Sequence, residues 1–119
     1  MPDRFTLSLG GLQVLWSAPS PDATDATHPA ELVLVGDLDN LSVPVLREAL
    51  DAIYSSVCFD IRLDLAGLEF TDSSGLGAMV GAWRRCQREG GSLTVTNPSP
   101  PVRRLMDMTG ISKLLLAAG

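Results

Sequence analysis

Along this chain apolar residues recur first at every second position and later at every third or fourth. Phe5, Leu7 and Leu9 alternate with Thr6 and Ser8, which predicts a half-buried strand. Gly10-Gly11 then reads as a two-residue hairpin turn into a second strand, Leu12 to Trp16. Ser17 to Pro29 has no period and is built of Pro, Asp, Thr, Ala and Ser, so an exposed loop is expected there. Glu31 to Val35 is almost wholly apolar, the pattern of a central strand. Val43, Leu46, Leu50, Ile53 and Val57 step by three and four residues and predict a helix with one buried face, opened by Ser42 as N-cap and Pro44 in its first turn.

The period returns to two at Ile61, Leu63 and Leu65, a further strand, followed by an expected loop from Ala66 to Asp72. A helix is expected from about Gly75 to Arg88, with Leu76, Met79, Val80, Trp83 and Gln87 on its inner side and Gly90-Gly91 ending it. Leu93 and Val95 mark a last strand. Asn97 to Pro101 breaks the chain before a helix carrying Val102, Leu105 and Met106, which Gly110 stops, and Ser112 to Leu116 gives a short final turn. The order is a hairpin followed by β-α-β-α-β-α. It implies an α/β domain with a mixed sheet of four to five strands and helices packed mostly on one face. The carboxyl ends of parallel strands gather at one edge of such a sheet. That edge is expected to collect Asp37, Asp39, Asp72, Ser73, Ser74 and Asn97.

Composition narrows the function. At 119 residues and 45 % hydrophobic, the chain has the size and apolar content of one folded domain, residues 1–119. Its net charge of −5 argues against nucleic-acid binding, which favours a basic face. Arg84, Arg85 and Arg88, with Arg103 and Arg104, form local basic clusters. They read either as a solvated helix face with cations near a helix C-terminus or as a docking patch for an acidic partner. No run approaches the ~18 apolar residues of a membrane span, and no signal sequence opens the chain, so a cytoplasmic protein with no membrane attachment is expected. Cys58 and Cys86 lie far apart in sequence, outside any metal or redox spacing, and are expected to be small core residues.

Catalytic chemistry finds few residues to work with. The one histidine, His28, falls in the Ser17–Pro29 loop, and no Gly-x-Ser-x-Gly elbow or phosphate-binding P-loop occurs. Gly75-x-Gly77 lacks the third glycine of a dinucleotide fingerprint and reads as a close helix–sheet contact. Asp37, Asp39 and Asp72 could together suit only a hard cation. Capping and loop hydrogen bonds account for Asp37 and Asp39 as well, so no metal, cofactor or catalytic residue is assigned. The run Phe70-Thr71-Asp72-Ser73-Ser74-Gly75-Leu76-Gly77 stands out instead. It joins a strand to a helix and offers two hydroxyls where a phosphate would meet free backbone N–H groups and the positive end of a helix dipole. A serine there is commonly an N-cap, but two in succession leave one free to be modified.

Asp72-Ser73-Ser74-Gly75-Leu76-Gly77 resembles the signature of the STAS domain, specifically of bacterial anti-sigma factor antagonists. Gly36-Asp37-Leu38-Asp39 is similar to the Gly-Glu-Leu-Asp run of that family, with Asp37 in place of glutamate. Gly90-Gly91 and Arg103 to Gly110 are similar to its later stretches. The resemblance spans Glu31 to Leu116, and the loop Ser17–Pro29 is longer than the family leads one to expect. It implies a STAS-like single domain and a partner switch. The unphosphorylated protein would bind an anti-sigma factor that is a serine kinase, releasing a sigma factor. Phosphorylation of the serine after the aspartate, Ser73, would abolish binding, and a metal-dependent serine phosphatase would restore it. Asp37, Asp39, Asp72, Ser73, Ser74, Gly75, Leu76 and Asn97 are the expected partner-binding residues, with Asp39 close to the acceptor and Ser74 supporting the loop or capping the helix. The competing expectations are an adaptor subunit of a stressosome or lipid-transport complex, and a nucleotide- or lipid-binding sensor.

Overall fold

The structure, a computed structural model, describes residues 4–17 and 29–116. Its elements are β1 (Arg4–Leu9), β2 (Leu12–Ser17), β3 (Ala30–Leu38), α1 (Val43–Ser55), β4 (Asp60–Thr71), α2 (Ser73–Arg88), β5 (Ser92–Thr96), α3 (Pro100–Met108) and α4 (Ser112–Leu115). The strands form one five-stranded sheet in the order β1-β2-β3-β4-β5. The first three are antiparallel neighbours, and β3, β4 and β5 run parallel. Gly10 and Gly11 both have positive φ, 60° and 89°, as the expected two-residue hairpin turn requires. Most of the Ser17–Pro29 loop, His28 included, lies outside the described residues.

One face of the sheet carries the core. Leu32 and Leu34 of β3, Ile61, Leu63 and Leu65 of β4, and Leu93 and Val95 of β5 are buried, while Glu31, Arg62 and Ser92 between them are exposed. Leu46, Leu50 and Ile53 of α1 and Leu76, Met79 and Cys86 of α2 belong to the same buried cluster, with Val102, Met106 and Leu115 from α3 and α4. Truncating a fully buried leucine such as Leu63 to alanine should cost about 2–5 kcal/mol.

Four expectations need correction. The stretch Ala66 to Thr71 is strand rather than loop, and β3 likewise runs on through Gly36 and Asp37 to Leu38. Two register shifts explain why period-two reading stopped early. Val33 pairs with Asp64 and Val35 with Gly67, then Gly36 with Leu68 and Asp37 with Phe70. On each occasion β4 spends an extra residue, so its buried positions after Leu65 fall at Leu68 and Thr71. Val57 lies beyond the end of α1, is 81 % exposed and adopts φ 56°. On α2 the inner side is held by Ala78, Ala82 and Cys86 together with Leu76 and Met79. Val80 and Trp83 are only partly buried and Gln87 is exposed.

Gly36 fixes the upper end of β3. It adopts φ 105°, and a Cβ there would overlap the Gly11 carbonyl. The neighbouring Asp37 N–H donates to that carbonyl at 3.1 Å, which ties the β1–β2 turn to the point where β3 ends.

Candidate functional site

The parallel strands β3 and β4 finish side by side, Leu38 opposite Thr71, and the Asp72 N–H donates to the Leu38 carbonyl at 3.2 Å. Each strand then turns directly into a helix, and the two turns make the site.

The first turn is organised by Asp39. Its Oδ1 accepts from the Leu41 and Ser42 N–H groups at 3.0 and 3.1 Å, and its carbonyl accepts from the Val43 N–H at 2.9 Å. Ser42 occupies the N-cap position of α1, as expected, but its side chain makes no capping bond. The hydroxyl is buried and faces back into the turn, accepting from the Asp39 N–H at 2.9 Å and donating to the Asp37 carbonyl at 3.0 Å.

The second turn is organised by Asp72, which is the N-cap of α2 in place of either serine. Its backbone is extended and its Oδ1 accepts from the Gly75 N–H at 3.0 Å. Its carbonyl takes the first helical bond, from the Leu76 N–H at 3.1 Å. Its Oδ2 accepts from the Asn40 N–H at 3.3 Å, so one carboxylate joins both turns. Ser73 and Ser74 are therefore the first two residues of the helix, where backbone N–H groups have no partner within the helix. Ser73 is exposed and Ser74 half-buried, and among the described residues neither hydroxyl has a hydrogen-bond partner.

The other expected residues divide. Asp37 is exposed beside this edge, and Asp39 is half-buried within it. Gly75 and Leu76 are buried, so they support the site from below instead of offering surface. A Cβ on Gly75 would overlap Thr71 Oγ1 and come within 2.8 Å of Leu38 Cγ. Asn97 is not gathered with the rest. The β4–β5 register ends at Asp64 opposite Thr96, seven residues before Thr71; Asn97 follows it with φ 54°, and two residues on Ser99 Oγ donates to the Leu68 carbonyl at 2.6 Å.

Sequence reasoning missed the apolar rim. Leu41 is 72 % and Phe70 51 % exposed, beside Asn40 in the first turn and just ahead of Asp72 in the second. Gly10 lies against Leu41, where a Cβ would stand 3.6 Å from Leu41 Cβ, and the adjacent Leu9 is also exposed. Large apolar side chains exposed to water next to the two turns are the composition of a protein-docking surface. Among the described residues no group of three or more His, Cys, Asp or Glu side chains could hold a metal ion. No helix among them is long and apolar enough to cross a membrane.

Comparison with known proteins adds four likenesses. Residues 23–117 match the family described as "Mlab, STAS domain". The chain is 40 % identical over 83 residues to an anti-sigma F factor antagonist of Paenibacillus polymyxa, covering 69 % of this chain and 71 % of that protein. It is 33 % identical over 94 residues to an anti-sigma-B factor antagonist of Bacillus subtilis, covering 79 % and 85 %. Among solved structures, the Bacillus cell fate determinant SpoIIAA in its phosphorylated form superposes with a TM-score of 0.58 at 27 % identity, over 78 % of this chain and 86 % of that one.

Proposed function

We propose a phosphorylation-controlled partner switch at Ser73 from one premise: this chain belongs to the STAS domain family, among the anti-sigma factor antagonists. Unphosphorylated, it binds an anti-sigma factor through the surface around Asp72 and so releases a sigma factor. That anti-sigma factor is a serine kinase. It transfers the γ-phosphoryl group of ATP to Ser73 Oγ, with ADP leaving and the hydroxyl proton lost, and binding then fails. A metal-dependent serine phosphatase returns the hydroxyl by attack of water on the phosphorus of phosphoserine, breaking the P–Oγ bond and releasing inorganic phosphate. The protein acts as a cytoplasmic binding module with no catalytic residue or cofactor of its own.

The observation that carries this reading is the free, exposed hydroxyl of Ser73 at the first position of α2, beside a carboxylate whose two oxygens are both occupied by backbone N–H groups. Asp72 is engaged in holding the two turns, so modification next to it leaves the scaffold intact. A phosphate on Ser73 would sit at the positive end of a sixteen-residue helix, which the domain tolerates. For a partner the same group adds about −1.5 to −2 charges to a surface already holding Asp37, Asp39 and Asp72. Closing an interface over it requires stripping its water, and the penalty falls on binding alone.

The test is to incubate the protein with ATP and candidate anti-sigma kinases and to locate the product by mass spectrometry. One phosphate on Ser73, accompanied by loss of kinase binding, is the expected result. Phosphate on Ser74, or stable binding without any modification, would overturn it.

A further inference from the structure

Along α2, from its second turn to its last, lies a cleft lined by residues other than those of the Ser73 turn. It runs between α1 and α2 with a volume of about 310 Å³, and Arg47, Tyr54, Gly77, Gly81, Arg85 and Arg88 line it. A second hollow, on the outer side of α2, shares Gly81 and Arg88 and adds Trp83, Arg84 and Gln87. In a chain of net charge −5 this is a concentration of positive charge. Asp51 is the one carboxylate among the described residues of the lining, and Glu89 lies just beyond, 3.6 Å from Arg85.

The arginines are not consumed by the fold. Arg85 is held in place, its guanidinium 5.0 Å from the Tyr54 ring centroid. Among the described residues Arg47, Arg84 and Arg88 make no ion pair or hydrogen bond. Gly77 and Gly81 are equally unexplained by internal packing. Both are exposed, and a Cβ built on either meets nothing within 4 Å. Glycine inside a helix lowers its stability relative to alanine, and here no close contact within the domain requires it. The two lie four residues apart on one helix face, a spacing that lets a second backbone approach closely, and the arginines follow on the same face one and two turns later.

We propose that this cleft docks an acidic amphipathic helix of a partner protein. The occupant lies along α2 with its backbone over Gly77 and Gly81. Its carboxylates meet Arg47, Arg84 and Arg88, and its apolar stripe meets the half-buried Tyr54. The track from Gly77 to Arg88 is about 16 Å long, roughly three helical turns. The track begins at Gly77, about 6 Å along the helix from Ser73, and ends at Arg88, about 22 Å from it.

The probe is a fluorescein-labelled helical peptide, EALAEALEALAEAL, compared with the same peptide carrying Lys for every Glu, by fluorescence anisotropy at low salt. The acidic peptide is expected to bind at least about tenfold more tightly than the basic one. Arg47→Glu/Arg88→Glu should weaken it by about tenfold or more. Gly77→Leu/Gly81→Leu should weaken it equally while leaving the melting temperature unchanged or raised, since leucine favours helix and open space surrounds both positions. Binding of both peptides alike, or acidic-peptide binding that neither variant alters, overturns the proposal. Displacement of the peptide by millimolar inorganic phosphate at constant ionic strength overturns it too, in favour of a small-anion site.

Discussion

The backbone N–H of Asn40 donates to Asp72 Oδ2 at 3.3 Å, across 32 residues of sequence. The other oxygen of the same carboxylate caps α2 through Gly75. One side chain therefore sets both the start of the helix that presents Ser73 and the position of the turn that presents Leu41. Replacing Asp72 by alanine removes both bonds and should cost about 1–2 kcal/mol. Asparagine keeps one carbonyl oxygen for Gly75 and should cost less. Urea denaturation of the three proteins checks the order, and equal midpoints would mean the carboxylate does not hold the two turns.

Ser73 tests the switch itself. Ser73→Ala removes the proposed acceptor hydroxyl without adding charge, so on that proposal this variant should bind the anti-sigma factor constitutively. Ser73→Asp and Ser73→Glu place charge beside Asp39 and Asp72 and should bind weakly. Full phosphorylation, at about 3–4 kcal/mol, corresponds to a few hundred-fold. Calorimetry measures the affinities, and equal values for all three variants would sink the switch. Circular dichroism of the phosphorylated form should be nearly unchanged, because the group lands on an exposed helix start and not in the core.

Gly75 and Gly81 stand on the same helix and should respond oppositely to alanine. At Gly81 the added methyl enters open space, so only the gain in helix propensity remains, up to about 1 kcal/mol. At Gly75 it collides with Thr71 Oγ1 and the Leu38 side chain, and overpacking of this kind costs about 1–3 kcal/mol. Thermal melts should therefore rise for Gly81→Ala and fall for Gly75→Ala. A rise for both would show that β4 and α2 do not meet as closely as Thr71 and Gly75 do here.

Much of this architecture was legible in the sequence where one period held without interruption. Leu93 and Val95 gave β5, and Leu46, Leu50 and Ile53 gave the buried face of α1. The second half of β4 was not legible, because its two extra residues move the buried positions from every second to every third residue, at Leu68 and Thr71. Asn97 was expected at the site on the assumption that the parallel strands end together. Nothing in sequence shows that β5 pairs only as far as Asp64. Asp72, Ser73 and Ser74 are all good N-caps, and which of them caps depends on Asn40, distant in sequence. Leu41 and Phe70 are apolar like any core residue, and only the fold reveals that both face water.

The last prediction concerns alkaline stability. Cys86 is fully buried in the core, and that burial, with smaller contributions from Asp60 and Cys58, pushes its thiol from 9.0 up to about 11. The sign follows from which state ionises first. Below pH 9 the thiol is protonated in folded and unfolded chains alike, and the stability associated with it is fully present. As pH rises from 9 to 11 only the unfolded chain ionises, so stability is lost across that window and no further above it. The loss from this group is no more than about 2–3 kcal/mol. Tyr54, pushed up to about 12 chiefly by burial, adds a second loss that begins near pH 10. Urea midpoints should therefore fall between pH 8 and pH 10.5. Cys86→Ala should start lower at pH 8, because it empties a packed position, yet fall less steeply thereafter. An identical slope in both proteins would mean that Cys86 ionises as readily in the fold as outside it. Iodoacetamide gives an independent reading at pH 8: the part-exposed Cys58 should be alkylated in the native protein, and Cys86 only once urea has unfolded the chain.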